Sequence, residues 1–205
     1  MKKILSTLLA ASLMLLGTTA FAQMSVNAGY INSTRTAKNA ESANANGAYA
    51  GISFNLPVAG GLAVAPGLYY SMITSTDVAS LGSLYSGKGT FMEHAINVPV
   101  YVNYGFALAP DTKFFIFGGP TAQYGLASTV KTENNIAGLV AVNGKVDNYE
   151  NEDYARFNVY LGGGVGFQAG AFQVTVGYDY GMMPLYKDTD QHRSNLKLGM
   201  VGWHH

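Results

Sequence analysis

The chain contains no cysteine. That excludes disulfides, a thiolate nucleophile, Cys-based metal sites and lipid attachment through an N-terminal cysteine. Charge is also scarce. Acidic and basic residues make up 12% of the 205 residues, where a soluble protein normally carries about 25%. The two signs balance at twelve each, and no basic cluster tracks a phosphate backbone, so a nucleic-acid partner is not expected. No stretch after residue 22 is apolar for long enough to cross a membrane as a helix. What the chain does have is glycine (25) and tyrosine (14). Small residues and aromatics with little charge suit a barrel that faces lipid.

The ends come next. Lys2-Lys3, an apolar stretch from Ile4 to Leu16 and then Ala20-Phe21-Ala22 form a secretory signal: basic start, short apolar core, small residues before a cleavage site. The apolar core is short of the ~20 residues needed to span a bilayer. We therefore expect a cleavable signal over residues 1–22 and one domain over residues 23–205.

Within that domain the dominant pattern is alternation. In Phe172-Gln173-Val174-Thr175-Val176-Gly177-Tyr178-Asp179-Tyr180 every second residue is apolar or aromatic, and those between are polar or glycine. Strand side chains alternate faces with period two, so such a segment has one apolar and one polar face. Eight such strands are expected: Ser25–Ser33, Tyr49–Leu56, Leu62–Ile73, Glu93–Tyr104, Lys113–Leu126, Ala155–Gln168, Ala171–Gly181 and Ser194–Trp203. The intervening segments alternate short and long. Pro57–Gly61, Gly105–Thr112 and Ala169–Gly170 are short; Thr34–Ala48, Thr74–Met92, Ala127–Tyr154 and Met182–Arg193 are long. Tight periplasmic turns and variable external loops give that alternation. The expected fold is all-β: an eight-stranded, up-and-down antiparallel transmembrane β-barrel, closed so that no edge remains.

The two faces follow from the alternation. Lipid is assigned Ile52 and Phe54, then Val98, Val100 and Val102, then Val159 and Leu161, then Val174 and Val176, then Leu196 and Leu198. Headgroup girdles are assigned Tyr104, Phe106, Tyr178, Tyr180 and Trp203. No charged residue falls on the outward set, where one Lys or Arg at the midplane would cost roughly 2–4 kcal/mol. Strand charges fall inward instead: Glu93, Arg156, Asp179 and Lys197. Two acids and two bases inside a narrow barrel imply a neutralised, hydrogen-bonded network, because unpaired buried charge is prohibitive. An eight-stranded barrel has room inside only for its own side chains, so the interior is expected to be filled. The Phe114–Phe117 run is apolar on both faces and leaves its orientation open. Pro99 and Pro120, which lack a ladder donor, are expected at bulges. The glycines of Gly162–Gly166 lie inside a strand, with no helix following to make a nucleotide loop, and are expected to relieve crowding.

Four segments carry a resemblance. They are Ile96-Asn97-Val98-Pro99-Val100-Tyr101-Val102, Phe117-Gly118-Gly119-Pro120, Leu161-Gly162-Gly163-Gly164-Val165-Gly166-Phe167 and Arg193-Ser194-Asn195-Leu196-Lys197-Leu198-Gly199. In order and spacing the chain resembles the small outer-membrane β-barrel proteins of the OmpA/OmpX-like group, particularly the porin-family barrel domain common in Bacteroidetes. The resemblance implies residence in a Gram-negative outer membrane, contact with its lipids and lipopolysaccharide, and insertion by the barrel-assembly machinery. The signal for that machinery is a final strand ending in an aromatic residue, here Trp203, with His204 and His205 after it.

His94 lies beside Glu93, and His192 lies near Asp188, Asp190 and Ser194. A hydrolase needs a nucleophile and a base within hydrogen-bond reach, and sequence neighbours rarely have that geometry. The Asp188–His192 segment lacks the glycine and bidentate glutamate of a calcium loop. No catalytic residue, metal or cofactor is expected. The expected role is structural or interactive, with a surface ligand held by the external loops. A narrow channel for small solutes is the alternative, and a lipid-modifying rim hydrolase stands behind it.

Overall fold

The computed structural model describes residues 23–36, 42–81, 85–136, 140–150, 154–186 and 190–204. The expected signal segment lies outside them, as do Asn39–Glu41, Gly82, Asp188 and His205 of the segments named above. Among the described residues nine strands run in order: β1 (Gln23–Thr36), β2 (Ala43–Ala59), β3 (Leu62–Leu81), β4 (Tyr85–Ala109), β5 (Thr112–Ile136), β6 (Val140–Asp147), β7 (Phe157–Ala169), β8 (Phe172–Gly181) and β9 (His192–His204). Eight of them close an antiparallel ring, β1-β2-β3-β4-β5-β7-β8-β9 and back to β1. The remaining one, β6, pairs among the described residues with the outer part of β5 alone.

The expected eight-stranded barrel is therefore present, with corrections outside it. Thr74–Met92 is not a loop. β3 continues to Leu81 and pairs residue by residue with β4 from Tyr85 onward. The Ala127–Tyr154 segment likewise carries the rest of β5, then β6, then a 3-10 turn (Asn148–Glu150). Polar strands in water need no apolar face, so the alternation that reveals lipid-facing strands fades there. The prolines also differ from expectation. In the β4–β5 pair, register shifts fall between His94 and Ala95 and between Ala107 and Ala109, not at Pro99 or Pro120. Pro99 pairs with β5, while pairing to β3 lapses around it; Pro120 pairs with β7, while pairing to β4 lapses. A gap in one ladder accommodates the missing N–H without an extra residue.

Turns at one end are tight. Gly60 and Gly61 (φ 56° and 84°) and Gly170 (φ 58°) supply the positive φ that other residues reach only with strain. That end also holds Gln23 and His204, and its short turns make it the one expected to face the periplasm.

Most of the residues assigned to lipid stand on the outward face of the ring. Val98, Val100, Val102, Leu161, Val174, Val176, Leu196 and Leu198 are exposed, with Ile52 at the margin, whereas Phe54 and Val159 are half-buried. Tyr70, Ile96, Tyr124 and Phe157 occupy one rung near the outer end. From Ile96 to Phe106 the chain rises about 34 Å along the strand, or about 26 Å after a tilt of roughly 40°, close to the ~25 Å apolar band of such barrels. Tyr104 and Phe106 meet edge to face at 4.7 Å at the lower margin.

The Phe114–Phe117 run resolves by parity. Ile116 faces out, while Phe115 and Phe117 point inward and line the cavity. Glycines opposite make room for them. A Cβ on Gly166 would lie 2.1 Å from the Phe115 ring, and one on Gly164 2.7 Å from the Phe117 ring. Gly166→Leu should therefore lower the urea midpoint of folding in detergent by the equivalent of roughly 1–3 kcal/mol. Because the three atoms nearest that Cβ all belong to the Phe115 ring, adding Phe115→Ala should recover most of that loss. No recovery would mean that the backbone, not the ring, forbids a side chain there.

Candidate functional site

The interior is a stack of polar and aromatic layers ending in a cap. At the periplasmic end a cavity of about 270 Å³ is lined by Asn27, Asn55, Asn103, Gln168, Gln173 and Lys113, among others. Above it Tyr49, Tyr69, Tyr101, Phe115 and Phe117 narrow the lumen around a second space of about 110 Å³. Tyr49 and Tyr69 pack edge to face at 5.9 Å, and Tyr101 lies 5.3 Å from Phe117.

Lys197 on β9 donates to Asp179 on β8 just above this waist, and Tyr101 donates to the same carboxylate at 3.5 Å. Gly162 makes that approach feasible, since a Cβ there would sit 2.0 Å from Asp179 Oδ1. A hydrogen-bonded chain follows: Tyr160 donates to Gln123 at 3.1 Å, Gln123 to Asn97 at 2.8 Å, and Asn97 to Ser71 at 2.8 Å. Nearly every buried polar group here meets another, as a low-dielectric interior requires.

At the outer mouth Arg193 on β9 grips Glu93 on β4 with both terminal nitrogens, the Nη2–Oε2 bond at 3.0 Å. The Tyr154 hydroxyl donates to Glu93 Oε2 at 2.8 Å and accepts from Arg193 Nη2 at 3.2 Å. All three side chains are buried. Tyr154 belongs to the segment after β6, so this trio ties an external segment to the wall. Tyr149, Tyr154 and Leu185 form an apolar cluster beside it, with Tyr186 against its edge. Backbone bonds fasten the cap: Gly125 N to Arg156 O at 2.7 Å and Ala155 N to Leu185 O at 2.8 Å. Gly125 admits the Tyr149 hydroxyl, which a Cβ would meet at 1.6 Å.

Burial raises the Tyr154 phenol to about 12, with Glu93 adding to the rise and Arg193 opposing it. A raised phenol stabilises the folded form fully below about pH 10, and that contribution is lost as pH climbs through about 12. Phenolate absorbance of wild type minus Tyr154→Phe should accordingly titrate near pH 12. A difference titrating near pH 10 would place Tyr154 in water.

The four charges assigned to the interior are distributed differently from expectation. Asp179 and Lys197 meet each other, and Glu93 is present but meets Arg193. Arg156 is not among them. It is exposed, with its guanidinium 4.7 Å above the Tyr149 ring and Nη2 donating to Tyr149 O at 3.3 Å. The reason is local: β7 begins at Phe157, so strand alternation does not govern Arg156. Arg193, Arg35 and Tyr154 are the residues that the sequence pattern did not single out. The signal for two of them was available. Arg193 shares parity with Asn195 and Lys197, and Arg35 with Ile31 and Ser33, so extending the inward series outward reaches both. Tyr154 carried no such signal. Of the girdle residues Tyr104, Phe106, Tyr178 and Tyr180 are exposed on the outer face; the Trp203 side chain lies outside the description.

The rim histidines point away from the mouth. His94 neighbours Glu93 and so faces the opposite side of β4, where it bonds the Tyr70 hydroxyl. His192 Nδ1 faces the Gly181 carbonyl at 3.0 Å and its ring stacks on Tyr180.

The model of the outer membrane protein beta-barrel domain matches residues 16–187. The chain belongs to that family. It is accordingly an outer-membrane protein. Among curated protein sequences none matches the chain. Solved structures similar to this outer-membrane barrel include Ail, the attachment invasion locus protein of Yersinia pestis, in complex with the heparin analogue sucrose octasulfate. It is 11% identical, with 88% of this chain and 97% of that one covered and a TM-score of 0.48. Neisserial surface protein A is 13% identical, with coverages of 87% and 96% and a TM-score of 0.47. The outer membrane enzyme PagL is 10% identical, with coverages of 87% and 99% and a TM-score of 0.41. At such distances no residue role passes from those proteins to this outer-membrane barrel.

Proposed function

We propose that this protein is a closed outer-membrane barrel whose working surface is its external part. One observation carries the proposal. The mouth is sealed by Glu93, Arg193 and the Tyr154 cap, while β3, β4 and β5 continue past the lipid band and join β6 in a four-stranded sheet. A channel would need an open path; a surface protein needs a display. Strands running seven residues beyond the membrane-proximal Thr74–Met92 rung rise about 24 Å along their own direction, clear of the headgroups.

The outward face of that sheet is polar, with Lys131 directly opposite Lys145 and Lys88 opposite Glu133. Such a face suits polar or anionic surface ligands, lipopolysaccharide sugars included. Catalysis is not part of the proposal. Among the described residues neither His94 nor His192 meets a carboxylate that would orient it as a base. Insertion by the barrel-assembly machinery after removal of residues 1–22 fits the same reading.

An amine-reactive, membrane-impermeant label applied to intact cells tests the orientation. Lys88, Lys131 and Lys145 should be modified and Lys113, at the periplasmic turn, protected. The reverse pattern would put the sheet in the periplasm and sink the proposal. Planar-bilayer recording should be silent. A steady conductance that Glu93→Gln alters would favour the channel instead.

A further inference from the structure

Unpartnered buried polar atoms are concentrated in one place. Among the described residues they are Ser33 Oγ, Arg35 Nη2, Arg193 Nε and Asn195 Oδ1. The register explains their proximity: Ser33 is directly opposite Asn195, and Arg35 directly opposite Arg193, on successive inward rungs of β1 and β9. Arg193 and Asn195 are 2% and 3% exposed, and Ser33 is 1% exposed. An orphaned donor in such a site normally costs about 1–3 kcal/mol, more when charged. Four on two rungs is a concentration that calls for a common partner.

The charge balance indicates what that partner is. Two guanidiniums share one carboxylate. Glu93 takes both terminal nitrogens of Arg193, and Arg35 rests its guanidinium 3.8 Å over the Phe91 ring, which attracts the cation without neutralising it. Like charges directly opposite in an antiparallel pair are destabilising, so the pair carries one uncompensated positive charge inside the mouth. Two of the four orphans are N–H donors on those same arginines, and a third is a hydroxyl that can donate.

We propose that this spot binds a small inorganic anion of the halide class, held by Arg35 Nη2, Arg193 Nε and the Ser33 hydroxyl. Tyr160 lies within reach of both Asn195 and Arg193, and the Asn195 carbonyl oxygen, the acceptor among the four, receives a proton from a water in the ion's shell. The ion supplies the negative charge that lets Arg35 and Arg193 stand opposite each other. It enters from outside past Arg35, the less buried of the two arginines.

The experiment uses the full mature chain refolded in detergent, with chloride exchanged for bulky isethionate at constant ionic strength. Chloride should raise the unfolding temperature saturably, by roughly 3–6 °C at tenfold excess over its dissociation constant. Arg35→Gln should abolish the dependence, and Ser33→Ala should shift its midpoint to higher chloride. Should Arg35→Gln fail to fold, bromide anomalous scattering in wild-type crystals decides instead: a peak between Arg35 and Arg193 supports the site. Equal stability in the two salts, chloride dependence that survives Arg35→Gln, or no bromide peak would show that water fills the spot and would overturn the proposal.

Discussion

Val100→Arg should abolish stable insertion, while Val146→Arg leaves the protein intact. Both valines are well exposed, at 43% and 61%, so a solvent-based account predicts that neither substitution matters. The membrane separates them. Val100 lies midway along the outward series of β4 that runs from Met92 to Phe106, near the lipid midplane. A guanidinium there costs roughly 2–4 kcal/mol, a large share of the 5–15 kcal/mol that holds a domain folded. Val146 lies on β6, paired with the outer part of β5 beyond the ring, and an Arg there meets water. Equal amounts of each variant would be refolded into phospholipid vesicles and resolved as folded and unfolded bands on unboiled gels. Val100→Arg should lose most of its folded band; Val146→Arg should match wild type. Full recovery of Val100→Arg would mean that the outward face does not see lipid.

The same contrast explains which parts of the fold could be read in advance. Where lipid imposes a rule, residues obey it: Val98, Val100 and Val102 on β4, or Val174 and Val176 on β8, alternate without exception, and the strands stood out. Above the membrane no such rule acts. Ser75–Leu81 and Tyr85–Phe91 pair in perfect register, yet their residues resemble any polar linker, so these extensions of β3 and β4 leave no mark in the alternation. At the mouth the inward series is legible down the lumen, through Asp179 and Lys197, but the last strand expected from the sequence begins at Ser194, one residue short of Arg193. That leaves Arg193 out of the inward set, in which Arg156 stands instead. Partner choice across a barrel depends on which strands close the ring and in what stagger, and alternation within one strand carries no such information. Phe115 and Phe117 show the opposite case. Their inward direction was undecidable from an all-apolar run, although the glycines that receive them at Gly164 and Gly166 were in view as space-makers.

Arg193→Met should be the most destabilising single change at the mouth. It leaves the Glu93 carboxylate buried at 3% exposure with the Tyr154 hydroxyl as its remaining bonded partner. Breaking a buried pair from one side typically costs 3–5 kcal/mol, because the surviving charge has nowhere to go. Arg35 lies close enough to interact with Glu93, which places the expected loss at the lower end, about 3 kcal/mol. Removing both charges is different. Glu93→Leu combined with Arg193→Met deletes the stranded carboxylate as well, and apolar replacements of buried pairs are often neutral or better. The double variant should therefore be more stable than Arg193→Met alone, though its Tyr154 hydroxyl loses an acceptor and the cap should admit protease between Tyr149 and Arg156. Arg156→Met serves as the control: that exposed side chain bonds one carbonyl oxygen, so its loss should stay within about 0.5 kcal/mol. The measurements are urea midpoints in detergent and limited proteolysis at neutral pH. If Arg156→Met costs as much as Arg193→Met, the mouth is held by the Tyr149 stack and not by the buried pair, and the closed interior rests on a different contact from the one described.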